Sequence, residues 1–166
     1  MTPIQRMGRR NKRRGYSTEK QLEKFLNDNG IPSKRVPFSG ALKNIGENRL
    51  RGDVIIECGK KPIRVEVKSR QTLPSYITGV RHHKPWNVKE IEHLCYILTD
   101  EEFLTLCKEG NLPQDRLKIS SARCKQLETW FKQDDSDIVA MKEYNSRIWR
   151  FAVKFKAAIK IGGRYK

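Results

Sequence analysis

No run of about 18 apolar residues occurs anywhere in this chain, which excludes a membrane-spanning helix. The charged N-terminus, MTPIQRMGRRNKRRG, is followed by no apolar stretch, so it does not read as a secretory signal. Cysteine is sparse: Cys58, Cys95, Cys107 and Cys124 stand apart, with no CxxC among them. They read as reduced thiols in a cytosol-like compartment. The expected location is cytoplasmic, or the host cytoplasm if the chain is viral. Internal repeats and low-complexity segments are also missing. Acidic residues are scarce and absent from both ends: none precedes Glu19, and none accompanies Lys154, Lys156, Lys160, Arg164 and Lys166.

What is present is positive charge. Lys and Arg number 35 against 19 Asp and Glu, a net charge of +16 on 166 residues. That length and a hydrophobic content of 37% suit one domain with one modest core. Such an excess points to a polyanionic partner, of which nucleic acid is the commonest. A membrane surface is the weaker choice, because no basic amphipathic helix stands alone. The two basic ends read as solvated tails, the first dozen residues as disordered; such an arm can still track phosphates.

Local signals set out an α/β order. A first helix is expected over 18–29, with Ser17 or Thr18 as cap, Thr18 and Gln21 as capping box, and Gly30 as stop. Its stripe is Leu22, Phe25 and Leu26, and Glu19 lies on that stripe facing the protein. A short strand over 33–37 and a Gly/Asn-rich loop over 38–48 come next. Two β-branched strands, 51–57 and 62–69, are joined by a turn at 58–61. Residues 71–120 read as an insertion holding a helix that begins at Thr99-Asp100-Glu101-Glu102. A helix over 122–133 and strands over 138–144 and 147–155 complete the pattern. The resulting class is α/β, a central mixed sheet flanked by helices. Its parts are a basic arm 1–14, a core of 15–70 and 121–156, a partly helical insertion 71–120 and a basic tail 157–166.

The hairpin carries the chemistry. With its turn at 58–61, opposed residue numbers sum to about 119, so Asp53 falls opposite Glu66, with Cβ atoms roughly 5 Å apart. Like charges there repel, and a bound divalent cation removes the conflict. Mg²⁺ suits the pair, since it takes a few carboxylate oxygens and keeps waters. Lys68 follows Glu66 by two and shares its face, while Ile63, Val65 and Val67 form the core face. Two acids and a lysine on one face suit metal-assisted phosphodiester hydrolysis. Glu19 is a candidate third acid. Each residue also has an ordinary explanation: Glu and Lys two apart is a common solvated strand pattern, Asp after Gly is turn chemistry, and a Glu in a first helical turn complements the helix dipole. Their conjunction with strong positive charge favours the site.

Gly52-Asp53 followed by Glu66-Val67-Lys68 resembles the PD-(D/E)xK nuclease motif, with Gly52 where the motif name has Pro. The ordered set Arg14-Gly15, Glu19, Phe38-Ser39-Gly40, Arg51-Gly52-Asp53 and Glu66-Val67-Lys68-Ser69-Arg70 is similar to the archaeal-type Holliday junction resolvase family, including its phage members. The resemblance covers roughly residues 13–70, and the helix with Leu127 and Trp130 resembles the family's closing segment. It implies a restriction-endonuclease-like core and catalytic roles for Glu19, Ser39, Asp53, Glu66 and Lys68. Asp53, Glu66, Glu19 and the Val67 carbonyl would ligate Mg²⁺, for which Mn²⁺ substitutes. Lys68 would serve the attacking water, Ser39 the phosphate. Arg9, Arg10, Arg13, Arg14, Arg51 and Arg70 are the candidate DNA contacts. The implied activity is a crossover junction endodeoxyribonuclease of DNA recombination and repair, a homodimer nicking opposed strands of a four-way junction. The segment 71–120 is longer than the family's usual connection.

Two alternatives stand beside this: another PD-(D/E)xK repair or restriction-like nuclease, and a non-catalytic basic nucleic-acid-binding protein. His82, His83, His93 and Cys95 match no zinc pattern. Ser120, Ser121 and the cysteines lack a positioned His, Gly162-Gly163 reads as flexible tail, and Trp86, Trp130 and Trp149 read as core or dimer interface.

Overall fold

The computed structural model describes residues 2–37, 53–57, 61–74, 77, 94–111, 117–119, 125–133 and 135–162. Four helices and seven strands fall in this range: α1 (Pro3–Asp28), β1 (Ser33–Arg35), β2 (Val54–Ile56), β3 (Ile63–Arg70), β4 (Leu94–Thr99), α2 (Asp100–Glu109), β5 (Leu117–Ile119), α3 (Lys125–Gln133), β6 (Ile138–Glu143), β7 (Arg150–Lys154) and α4 (Phe155–Gly162). The strands form one mixed sheet in the order β1-β2-β3-β6-β7-β4-β5, with β3 and β6 parallel and every other pair antiparallel.

Strand alternation sorts the apolar side chains into two cores. Ile63 and Val65 of β3, Tyr96 and Leu98 of β4, Ile138 and Ala140 of β6, and Phe151 and Val153 of β7 join Leu22 and Leu26 of α1, Phe103 and Leu106 of α2, and Ile161 of α4. The intervening residues, Cys95, Ile97, Val139, Met141 and Ala152, join Leu127, Trp130 and Phe131 of α3. Helices α1, α2 and α4 therefore cover one face and α3 the other. Stacked aromatics bind the first core, with Phe103 and Phe151 rings 4.0 Å apart at 9°.

Several expectations need correction. The first helix does not begin at Ser17 or Thr18. It begins at Pro3, capped by Thr2 in a capping box with Gln5, and the Thr18 hydroxyl donates instead to the Arg14 carbonyl at 2.8 Å. The basic arm is thus helical, continuous with the core helix. At the other end of α1, Gly30 takes the positive φ of 78° that the stop requires. The segment 71–120 is not simply a helical insert, because β4 enters the sheet against β7 and carries β5 on its far edge. Its helix α2 does start at Thr99, whose side chain accepts the Glu102 N–H. The basic C-terminal segment is not tail throughout: α4 buries Ala157, Ala158 and Ile161. Gly162, expected in flexible tail, packs so closely on Gly110 that a Cβ on Gly110 would meet the Gly162 carbonyl at 2.7 Å. Trp130 and Trp149, read as core or dimer interface, are both buried within this chain. Trp86 and the three histidines lie outside the described residues.

Candidate active site

The site grows from the end of the β2–β3 hairpin. Its register is the one the turn length predicts: Val54 pairs with Val65, Ile55 with Arg64 and Ile56 with Ile63. The ladder then slips. Asp53 does not pair with Glu66 as a continued register would have it; its N–H donates to the Val65 carbonyl at 3.0 Å, and its own carbonyl accepts the Val36 N–H at 2.9 Å. Asp53 is thereby set opposite Val65 rather than Glu66. The slip also turns the Asp53 carboxylate onto β3, where Oδ2 accepts the Val67 N–H at 2.8 Å. Alternate residues of a strand direct their backbone groups to the same side. Since the Val65 carbonyl faces β2, the Val67 carbonyl does too, into the gap that holds the Asp53 carboxylate.

Glu66 and Lys68 occupy the face of β3 covered by α3. Glu66 is 4% exposed, beside a chain carrying a net +16. Lys68 Nζ lies 2.5 Å from Glu66 Oε1 and 2.8 Å from Gln133 Oε1. Gln133 is the last residue of α3. Gln133 escaped the sequence reading, because it arrives from 65 positions away and nothing local marks it.

Glu19 comes to the site from α1, on the opposite face of the sheet. Its carboxylate lies 3.6 Å from the Arg35 guanidinium. Burial, and then the negative charge of Asp53, push its pKa up to about 7 against the opposing pull of Arg35. Glu19 is therefore near enough to Asp53 to feel it, yet tied to Arg35, a second partner that the sequence reading missed. Arg35 itself is stacked on Tyr16, with its guanidinium carbon 4.4 Å from the ring centre.

The basic candidates divide. Arg9, Arg10 and Arg13 are exposed along α1. Arg14 is laid over the Tyr144 ring at 4.0 Å, and Arg70 over Trp130 at 5.1 Å. Ser39 and Arg51 lie outside the described residues.

A divalent cation is tested by the donors present. Among the described residues no group of three or more His, Cys, Asp or Glu is gathered as a metal cluster, and Glu19 is tied to Arg35. The remaining set is two carboxylates and a backbone carbonyl, all hard oxygens. Mg²⁺ is commonly held by one or two carboxylates with waters completing its shell. The residues fit that ion.

The family model described as archaeal Holliday junction resolvase (hjc) matches residues 10–84. Among solved structures, the chain is similar to Hjc, a Holliday junction resolvase of the archaeal hyperthermophile Archaeoglobus fulgidus, at 15% identity and a TM-score of 0.35, over 89% of this chain and 98% of that one. No curated protein matches. No helix among the described residues is long and apolar enough to cross a membrane. Residues 10–84, the stretch that holds Glu19, Asp53, Glu66 and Lys68, are similar to the archaeal Holliday junction resolvase family.

Proposed function

We propose that this protein is a Mg²⁺-dependent, structure-selective endodeoxyribonuclease with a restriction-endonuclease-like core, which resolves four-way DNA junctions as a homodimer. The observation that carries the reading is the seating of the Asp53 carboxylate on the Val67 N–H, between a Glu66 and a Lys68 that pair with each other, inside the family-matched segment. A non-catalytic binding module would have no use for a glutamate buried to 4% exposure in a protein built to attract phosphate.

Asp53, Glu66 and the Val67 carbonyl would hold the ion. Mg²⁺ there supplies Lewis acidity toward the phosphate and lowers the pKa of a water. Lys68 has three N–H donors; Glu66 and Gln133 take two, and the third serves the attacking water or a phosphate oxygen. Its charge offsets the negative charge that develops on the phosphoryl oxygens. Asp53, fixed by the Val67 N–H, needs no rearrangement to meet substrate. The surrounding Lys and Arg side chains bind backbone phosphate and carry no base readout. Mn²⁺, of similar ligand preference, substitutes.

Resolving a junction takes two symmetric nicks, and one chain holds one site, so the reading requires a two-fold dimer. The test offers a labelled four-way junction and a linear duplex of the same sequence, each with Mg²⁺ or EDTA. Paired nicks in the junction alone, with Mg²⁺ alone, are expected. Equal cutting of the linear duplex favours a general PD-(D/E)xK nuclease, and intact DNA in every lane favours a binding module. Light scattering should give about twice the 19.4 kDa chain mass. A mixed dimer of wild-type and Glu66→Ala chains should nick a cruciform plasmid without linearising it.

A further inference from the structure

The face of α1 that buries Thr18, Leu22 and Leu26 continues toward the N-terminus by steps of three and four, through Gly15, Asn11, Gly8, Met7 and Ile4. Among the described residues nothing covers the continuation. Ile4 is 77% and Met7 60% exposed. A Cβ placed on Gly8 or Gly15 meets nothing within 4 Å, and every residue from 2 to 13 is exposed. About three turns of helix, roughly 18 Å, therefore project from the domain.

Five cations ring this projection: Arg6, Arg9, Arg10, Lys12 and Arg13, with no acid before Glu19. At about 100° per residue they span roughly 160° of the circumference, on the side away from the Ile4–Met7 stripe. Like charges three and four apart, and two glycines, disfavour a free helix. The occupant that such a segment fits is one that neutralises it across that whole arc.

We infer that the projecting helix of α1 seats in the major groove of a DNA duplex arm, its cations meeting the phosphate walls on either side. The inference rests on the reading of this protein as a DNA-binding nuclease and adds to it where one arm lies. An α-helix of about 10–12 Å diameter fits a groove about 12 Å wide, and a single phosphate wall would call for a single basic stripe. Because α1 runs unbroken from Arg9 to Glu19, ten residues of rigid helix set the distance from groove to site at about 15 Å. The arm is then a ruler rather than a tether.

Two substitutions that keep every charge separate these roles. Asn11→Pro removes a helical N–H and clashes with the Met7 carbonyl, which unhinges Arg6, Arg9 and Arg10. Gly8→Ala stiffens the same turn at a place with room for the methyl group. Full-length variants are titrated into a labelled four-way junction in EDTA by fluorescence anisotropy, with dimethyl sulfate protection of guanine N7 read on the arms. Asn11→Pro should weaken binding by about tenfold and abolish N7 protection, and Gly8→Ala should tighten it by roughly threefold. Wild-type affinity and unchanged N7 reactivity for both variants would overturn the inference in favour of a flexible basic tail. A fall in light-scattering mass for Asn11→Pro at unchanged affinity would overturn it in favour of an interface between two copies. Failure of the wild type to bind any DNA would instead sink the functional reading beneath it.

Discussion

The Asp53 carboxylate accepts the Val67 N–H at 2.8 Å, across a gap where β2 and β3 have stopped pairing. One side chain thus takes the place of a missing ladder bond and, at the same position, lines the candidate metal site. Asp53→Ala should lose about 1–3 kcal/mol in urea denaturation, because the part-buried N–H loses a charged acceptor. Asp53→Asn keeps an oxygen acceptor and should recover most of that stability while remaining unable to cleave. Cleavage by either variant at the wild-type rate would remove Asp53 from the site.

The Glu66–Lys68 pair gives a second expectation. Removing one partner of a buried ion pair leaves the other charge in a poor environment. In EDTA, Lys68→Met should therefore cost about 2–4 kcal/mol. The double variant Glu66→Gln/Lys68→Met should cost less than the two single changes added together. Mg²⁺ should raise the melting temperature of Lys68→Met more than that of the wild type, since the ion replaces the lost positive charge. An equal Mg²⁺ shift in both would place the ion elsewhere.

Glu19 makes stability depend on pH. Its pKa rises from 4.5 to about 7 on folding, through burial first and Asp53 second. Between those values the folded chain holds more protons than the unfolded one, so the contribution is complete below pH 4.5 and is lost as pH rises through 7. Melting temperatures in EDTA from pH 5 to 8 should fall for the wild type relative to Glu19→Gln. A wild type that gains on the variant as pH rises would contradict the assignment.

Gly110 and Gly162 test whether α4 is structural. Gly110 has φ 73°, and its Cβ would lie 2.7 Å from the Gly162 carbonyl. Gly110→Ala should therefore destabilise by about 1–3 kcal/mol through left-handed strain and backbone contact together. Ending the chain at Lys154 should prevent cooperative thermal unfolding, since Ala157, Ala158 and Ile161 leave the core. A cooperative melt at the wild-type temperature would return these residues to the status of tail.

The pairing of residues 54–56 with 63–65 was legible because its information is short-ranged. Period-2 alternation marks β3, the turn length sets the pairing sum, and both hold from Val54 to Ile56. The Thr99–Glu102 capping box was legible for the same reason. Strand β4 was not, although it is among the most buried. Leu94–Thr99 is flanked by sheet on both sides and covered on both faces, so its apolar run has no alternation to read. The helix N-terminal to Ser17 was hidden by its charges and glycines, and α4 by the lysines between its buried alanines.

Residue types and spacing alone pointed to a polyanionic partner, set the α/β class and nominated the trio Asp53, Glu66 and Lys68. Charge balance, hairpin register and face alternation are properties of neighbours along the chain. Folding decided the rest: the slip that puts Asp53 against Val67 rather than Glu66, the arrival of Gln133 at Lys68, and the tie between Glu19 and Arg35. Each joins segments whose approach depends on sheet order and on helices packing on opposite faces. Such long-range contacts are set by burial of the whole core, which no local window of sequence contains.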